Sequence, residues 1–301
     1  MALNFNHLAI FVAVAETGNL TRAAERLHIS QPAVSKQLRE LEKSLGMALF
    51  HRLSKGVRLT EGGEVLLSYA RQIFALEVEA AQALNELRNL ERGQLTIGAS
   101  TTIGVYLLPE ICAIFRARFP GIELNLEIAN TQQIQNLLLK NELDLGLTEG
   151  FVLSPDIQAE VLGTDEIIVI AAPGHALFQE KNLKLTCLLR EPILWREIGS
   201  GTRAVVENAL RDKGFSSPPH GTLGSTEAIK RAVTAGDGIA FVSKLTVKED
   251  LKNGTLRQLG IEDFQVTRPL QRLRLSGKYE GRAVREFLRL LRPFVRERCA
   301  K

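Results

Sequence analysis

Residues 28–46 read HISQPAVSKQLRELEKSLG, and the first third of the chain takes its fold from how this stretch behaves as a helix. Ser30 is placed to cap it, and Pro32 falls in the first turn, where a missing N–H costs nothing. Val34, Leu38, Leu41 and Leu45 follow at 4-3-4 spacing as one apolar stripe, and Gly46 ends the run. Upstream, residues 6–17 (NHLAIFVAVAET) form an apolar helix stopped by Gly18. Thr21 then opens a short helix in which Ala23, Ala24 and Leu27 share a face. Two helices, a tight turn and a third helix with a polar leading edge match a helix-turn-helix.

A third helix of this kind presents its N-terminal turn to the major groove. Ser30, Gln31, Pro32, Ala33, Ser35 and Lys36 make up that turn, with Arg39 one turn further on, and Thr21 and Arg22 begin the helix before it. Gln pairs bidentately with adenine, Ala touches a thymine methyl, and Ser and Lys reach phosphate or guanine. Residues 49–60 (LFHRLSKGVRLT) alternate around the turn Ser54-Lys55-Gly56 and read as a wing, whose Arg52, Lys55 and Arg58 neutralise phosphates. The plainer alternative is a small helical domain with a solvated basic rim.

Thr60 caps a long helix running to about Leu90, roughly 45 Å at 1.5 Å per residue. Leu66, Tyr69, Ile73, Leu76, Ala80, Ala83, Leu87 and Leu90 recur at 3-4 spacing, a seam for a partner helix. The alternative is a helix packed on its own subunit.

After Arg92-Gly93 the rhythm changes. Strands QLTIGAS, IELNLEIA and LDLGLTE alternate with helices over 106–119 and TQQIQNLLLKN. A second series follows, EIIVIAAP, PILWRE, TRAVVENALRDKG, HGTLG, TEAIKRAVTAG and GIAFVS, and the tail adds strand PLQRLRL and helix GRAVREFLRLLRPF. This alternation predicts two α/β lobes with parallel sheets, the chain crossing near Glu166 and again near Thr267. Four hydroxyl- or amide-rich turns lie where strands end and helices begin: Ser100-Thr101-Thr102, Asn130-Thr131, Ser200-Gly201-Thr202-Arg203 and Gly224-Ser225-Thr226. Ligands of open α/β sheets sit at such places, where free N–H groups and hydroxyls converge on an anion. Taken singly, each Ser or Thr reads as a helix cap. Few aromatics lie nearby, so a small oxyanion or compact carboxylate suits the turns better than a large aromatic acid.

Composition bounds the rest. The 301 residues are 45% hydrophobic and 24% charged, enough for two or three domains. The net charge of +4 divides into +3 over residues 1–61, +8 over 268–301 and −7 between them, which argues for more than one partner. Arg282, Arg285, Arg289, Arg292 and Arg296 align on one helical stripe, with Pro293 expected to kink the helix or start a new one, and the stripe is expected to dock on acidic surface. Cys112, Cys187 and Cys299 build neither a disulfide framework nor a zinc spacing. The five histidines form no metal pair, and no catalytic motif is present, so neither an enzyme nor a metal site is expected. No secretory signal or membrane span is read, which places the chain in the cytoplasm and counts against a transport-type binding protein.

Over residues 2–63 the sequence resembles the LysR family of transcription regulators. Ala23-Ala24, Leu27, Ser30-Gln31-Pro32, Ser35, Leu41-Glu42, Leu45-Gly46, Leu49-Phe50, Arg52, Leu59-Thr60 and Gly63 carry the likeness, with Lys36 where many members have Arg. The two lobes resemble the type 2 periplasmic binding-protein fold, the family's effector domain. The resemblance implies an α/β protein built as an all-α winged helix-turn-helix over 1–60, a dimerising linker helix over 61–92 and a two-lobed effector domain over 93–301. Lobe I spans about 93–166 with 268–301, and lobe II about 167–267. It implies binding to double-stranded promoter DNA, a homodimer or homotetramer, contact with RNA polymerase, no membrane, no cofactor, and control by a small anionic effector. Matched to the family's motifs, Ser100, Thr102, Thr131 and Thr202 become the first effector contacts, then Ser225 and Glu149, with Thr101, Asn130, Ser200 and Arg203 beside them. LGLTEG, APGHALF and WREIGSGTR resemble the branch that controls sulfur or other inorganic-nutrient genes.

Overall fold

A computed structural model describes residues 3–53, 55–88 and 93–299, which divide into two compact units, 1–81 and 82–301. In the first unit, α1 (Phe5–Thr17) is capped by the Asn4 side chain and closed by Gly18. The next helix, α2 (Leu20–Leu27), is capped by Asn19, whose amide oxygen accepts from the Thr21 and Arg22 N–H groups, so Thr21 is not the opener expected. Helix α3 (Gln31–Leu45) follows the reading above, from the Ser30 cap to Gly46. Strands β1 (Phe50–Arg52) and β2 (Val57–Leu59) pair antiparallel as the wing; Ser54 lies outside the described residues. Leu8, Phe11, Val14, Ala23, Val34, Leu41 and Leu49 fill the core between them.

Helix α4 (Glu61–Arg88) rises about 42 Å, its first turn held by the Thr60 hydroxyl, which accepts from the Gly63 N–H; Leu90 lies outside the described residues. Its apolar residues occupy two faces rather than one seam. Leu66, Ala70, Ile73 and Phe74 pack on the winged-helix core, whereas Val65, Tyr69, Leu76 and Ala80 are exposed along an adjacent stripe. Leu66 and Ile73 therefore leave the expected partner-facing set. The side chains of Ala83 and Leu87, also expected in the seam, lie outside those described.

The second unit opens with β3 (Gly93–Ser100), α5 (Thr101–Tyr106) and α6 (Leu108–Arg118). The helix expected over 106–119 is α6, starting two residues later; α5 precedes it as an additional helix, separate because Pro109 in the first turn of α6 has no N–H to continue the ladder from α5. Then come β4 (Ile122–Ala129), α7 (Thr131–Leu139), β5 (Leu145–Glu149) and the long β6 (Ile157–Ala171). Lobe II holds α8 (Leu185–Leu188), β7 (Ile193–Arg196), α9 (Gly201–Asp212), β8 (Gly221–Leu223), α10 (Thr226–Thr234), β9 (Ile239–Ser243), α11 (Lys248–Asn253) and β10 (Arg257–Leu259). The chain returns through β11 (Val266–Leu275) to α12 (Arg282–Cys299).

The expectation of parallel sheets holds for the core strands of each lobe and fails around the crossing strands, where β11 pairs antiparallel with β5, and β6 pairs antiparallel with β9 and β10. The strand order is β4-β3-β5-β11-β6-β9-β7-β8, with β10 also on β6. Pairings β3–β4, β3–β5, β7–β8 and β7–β9 are parallel, while β6 and β11, the two crossing strands, pair antiparallel from Ile157↔Leu275 to Ile167↔Val266. The expected crossing points Glu166 and Thr267 stand opposite each other in that ladder.

Helix α12 is unbroken: Pro293 and Arg289, four residues before it, are both exposed, so the carbonyl left without a donor faces water. Val284, Phe287, Leu288, Leu291 and Val295 are buried in the lobe I core, with the Phe115 and Phe287 rings 5.5 Å apart. Of the basic stripe, Arg292 pairs with Glu160 at 2.9 Å, while Arg285, Arg289 and Arg296 stay exposed; Arg298, next to the stripe, pairs with Glu110 at 2.6 Å. The tail thus docks on its own lobe mainly through its apolar face.

The two faces of α4 separate two effects. Leu76→Asp should disperse the expected dimer and leave the melting temperature of the first unit nearly unchanged. Ile73→Asp should cost roughly 1–3 kcal/mol of stability by putting a charge against the winged-helix core. Sedimentation and thermal melts of both variants test this; a Leu76→Asp chain that remains dimeric would place the interface elsewhere.

Candidate functional site

The helix-turn-helix leaves its polar edge free. Gln31, Lys36 and Arg39 are exposed, Ala33 and Ser35 half-buried. The Gln31 amide donates to Ser35 Oγ at 3.1 Å and Arg39 Nε to the Ser35 carbonyl at 3.1 Å, which orders this edge before any contact is made. Ser30 and Pro32 begin the same turn, Thr21 and Arg22 are exposed on α2, and Arg52, Lys55 and Arg58 are exposed on the wing.

In the second unit the hydroxyl-rich turns cap helices as their plainer reading has it. Ser100 Oγ accepts from the Ile103 N–H, Ser225 Oγ from Ala228, and Asn130 forms a reciprocal capping box with Gln133. Ser200 sits at the start of α9 but makes no capping bond with its side chain. Three of the turns nevertheless meet at the seam between the lobes. The Gln132 N–H of lobe I donates to the Gly199 carbonyl of lobe II at 3.1 Å, and Thr131 Oγ1 donates to the Glu149 carbonyl at 3.2 Å. Gly201 makes that approach possible: a Cβ there would stand 2.4 Å from the Glu149 carbonyl oxygen and 2.6 Å from Thr131 Oγ1.

Below this contact lies the residue that sequence reasoning missed. Arg268, from β11, has a side chain with no exposed surface. Its Nη1 donates to Thr202 Oγ1 of lobe II at 2.9 Å and lies 3.1 Å from Glu149 Oε1 of lobe I. Its Nη2 donates to Thr102 Oγ1 at 3.2 Å, and its Nε to Asp165 Oδ2 at 2.8 Å, with Ser243 Oγ donating to the other Asp165 oxygen at 2.9 Å. The Ser100 hydroxyl donates to Glu149 Oε2. Burial pushes the Asp165 carboxyl above its usual range, against the pull of Arg268 beside it. Arg268 and Asp165 are register partners in the crossing ladder and flank the crossing points in sequence, which is the signal that could have found them.

Thr131, Ser200 and Arg203 line a cavity of about 390 Å³ on the open side of the seam, with Gln132, Gln135 and Gly201, under a rim of Phe151, Leu153 and Ile198. Arg203 is held by Glu207 at 2.7 Å and stacks over Trp195, so its charge is already balanced. Thr101 begins α5 and does not line this cavity, and Ser225 serves α10 away from it. A second bridge joins the lobes where Tyr106 of α5 donates to Glu227 of α10; burial, with that carboxylate beside it, raises the phenol above its usual range. A larger recess of about 470 Å³ opens where β6 meets β10 and β11 and contains none of the expected effector residues. Among the described residues no group of His, Cys, Asp and Glu side chains could hold a metal ion, and no helix is long and apolar enough to cross a membrane.

Comparison with known proteins agrees with both halves of this description. Residues 5–64 match the family described as bacterial regulatory helix-turn-helix protein, lysR family, and residues 88–296 the LysR substrate binding domain. The chain is 35% identical over 301 residues to a RuBisCO operon transcriptional regulator of Allochromatium vinosum, covering 100% of this chain and 98% of that protein. It is similar to the regulatory domain of CcmR from Synechocystis in complex with 2-PG, at 30% identity and a TM-score of 0.63 over 68% of this chain and 98% of that one. A full-length OxyR variant from Pseudomonas aeruginosa shares the fold, with 24% identity and a TM-score of 0.71 over 98% of this chain and 95% of that one. The chain belongs to the LysR family of transcriptional regulators, with a DNA-binding helix-turn-helix and a two-lobed effector domain.

Proposed function

We propose that this regulator controls a promoter for inorganic-carbon assimilation and answers to a compact anionic metabolite held at the seam of its two lobes. The observation that carries the effector reading is the buried Arg268 guanidinium, which meets a hydroxyl from each lobe at once. Such a group senses an anion and the closure of the lobes together. The nutrient is read as carbon rather than sulfur because a relative matching along its whole length is named for a RuBisCO operon and a similar regulatory domain was captured with 2-PG. Ser100, Thr102, Thr131 and Thr202 hold the effector with Arg268; Asn130 and Ser200 shape the helix starts around it. The protein acts in the cytoplasm as a homodimer or homotetramer on double-stranded DNA, recruits RNA polymerase, and is no enzyme.

Effector and DNA readouts separate cleanly. Thr202→Ala and Ser100→Ala should each weaken effector affinity by about 1.5–3 kcal/mol, the worth of a hydrogen bond to a charged group, and leave DNA affinity without effector unchanged. Calorimetry showing full effector affinity in both variants would refute the site.

On the DNA side, Gln31→Ala or Ser35→Ala should weaken specific binding by roughly 1–3 kcal/mol per lost base contact. The pair should be less than additive, since the Gln31 amide rests on Ser35 Oγ. Arg52→Ala should lower affinity for all sequences and reduce the salt slope by about 1. Unchanged promoter binding by the first two variants removes them from base readout.

A further inference from the structure

Arg268 is surrounded by more negative charge than it can balance. Its side chain is 0% exposed, that of Glu149 4% and that of Asp165 1%, and one guanidinium faces two carboxylates. Burying an uncompensated charge is costly, so a fold keeps such a group where it has a use or a way out. Nε of Arg268 holds Asp165, Nη1 holds Thr202 and Glu149, and Nη2 holds Thr102 and Asp165, an oxygen for each of its five N–H donors. An incoming anion therefore cannot simply be added; it has to replace something.

The two carboxylates are not equivalent candidates for replacement. Asp165 lies within the crossing ladder opposite Arg268, and both of its oxygens are held, one by Arg268 Nε and Nη2 and the other by Ser243. Glu149 stands at the end of β5, immediately before Gly150, and reaches the site on a longer side chain. Its carboxylate is held by Arg268 Nη1 on one oxygen and the Ser100 hydroxyl on the other, with the Thr202 hydroxyl bound to the same Nη1. One guanidinium nitrogen and one serine hydroxyl are the donors a bound carboxylate or phosphate would be expected to find here.

We propose that the Glu149 carboxylate is a resident stand-in for the effector, occupying its anion position on Arg268 and Ser100, and that a compact carboxylate or phosphate binds by displacing it. This rests on the reading of the seam as an anion site. Exchange of the Glu149 carboxylate for a ligand carboxylate or a singly charged phosphate leaves the charge around Arg268 unchanged, so only the swing of one side chain stands between the two states. Glu149, counted from sequence among the effector contacts, is on this account a competitor of the effector. The resident carboxylate also sets a threshold, because only a ligand with more donors in reach than Glu149 has can win the site. Thr102 and Thr131, together with the backbone of the adjoining cavity, supply those extra contacts.

The test is calorimetric titration of the full chain with 2-PG and with inorganic phosphate, using Glu149→Gln, which keeps the shape but gives up the charge, and Glu149→Ala, which empties the position. Both variants should bind at least one of these anions tenfold or more tightly than the unmodified chain. Asp165→Asn is the control for simple loss of negative charge and should bind no more tightly than the unmodified chain. The single tryptophan, Trp195, packed in lobe II against Phe241, reports by near-ultraviolet circular dichroism that each variant is folded. Equal or weaker binding in whichever Glu149 variant folds overturns the proposal and makes Glu149 a direct contact or a structural group. An equal gain with Asp165→Asn also overturns it, since displacement is then not needed to explain the effect. No binding by any of the four proteins removes the anion reading of the seam along with this one, whereas binding by the unmodified chain without a gain in the variants removes this one alone.

Discussion

Arg268 carries its charge to a point with no exposed surface, on a strand whose register partner supplies one carboxylate and whose neighbouring lobes supply two hydroxyls and another. Each of those groups is buried in turn, so none can be left unpaired without cost; removing one partner of such a pair costs about 3–5 kcal/mol. Thr102 and Glu149 come from lobe I, Thr202 from lobe II, and Arg268 with Asp165 from the strands that cross between them. The relative placement of the lobes is therefore part of how one side chain is satisfied. Each lobe has its own apolar core, with Leu95, Ile97 and Phe115 in one and Ile193, Trp195 and Phe241 in the other, and Leu245 of lobe II packing against the first. The polar seam is where the two halves are held in register.

That arrangement gives the effector domain two kinds of stiffness. The antiparallel pairing of β6 and β11 is continuous through the crossing points and resists shear between the lobes. Polar contacts across the seam include the Arg268 cluster, the bond from Gln132 to Gly199, and the bridge from Tyr106 to Glu227. A ligand shifts a two-state equilibrium only by its difference in affinity for the two states. Contacts made by both lobes to the same few atoms are where that difference is largest.

Local signals in the sequence carried most of the fold. Ser30, Pro32 and Gly46 mark the recognition helix because caps and the proline ring act within one turn, and the structure keeps all three. Alternation of strand and helix was likewise enough to find both parallel lobe cores. What escaped was set by distant partners. Asn19 rather than Thr21 caps α2, a choice between neighbours that depends on how the chain leaves Gly18. The first half of β6 (IQAEVLGTD) looks too polar for a strand, and it forms one because β11 offers a matching ladder of arginines, with Arg272 reaching Glu160 at 2.6 Å. The seam of α4 was legible as a period but not as a direction, since Ile73 and Leu76 fit the same repeat and only the winged-helix core decides which is covered. At the effector site the hydroxyls were legible as a set, and Arg268 was not. A lone arginine before a proline carries no pattern until the strand opposite it is known.

The junction of α4 with the winged helix leaves little slack. The Glu42 side chain of α3 accepts from the Leu49 N–H at 2.8 Å, the Thr60 N–H donates to the Leu49 carbonyl at 2.9 Å, and the Thr60 hydroxyl donates to the Ala48 carbonyl at 2.8 Å. A Cβ on Gly63 would stand 2.2 Å from that same Leu49 carbonyl oxygen, so backbone packs directly on backbone. The wing is tied in as well, by the Val57 N–H to the Gly18 carbonyl at 2.9 Å. Recognition helix, wing and the first turns of α4 thus behave as a rigid crank. A rotation of α4 about its own axis has no soft joint in which to dissipate, and a few degrees of twist along the shaft reappear as the same few degrees in the angle at which α3 meets the DNA groove.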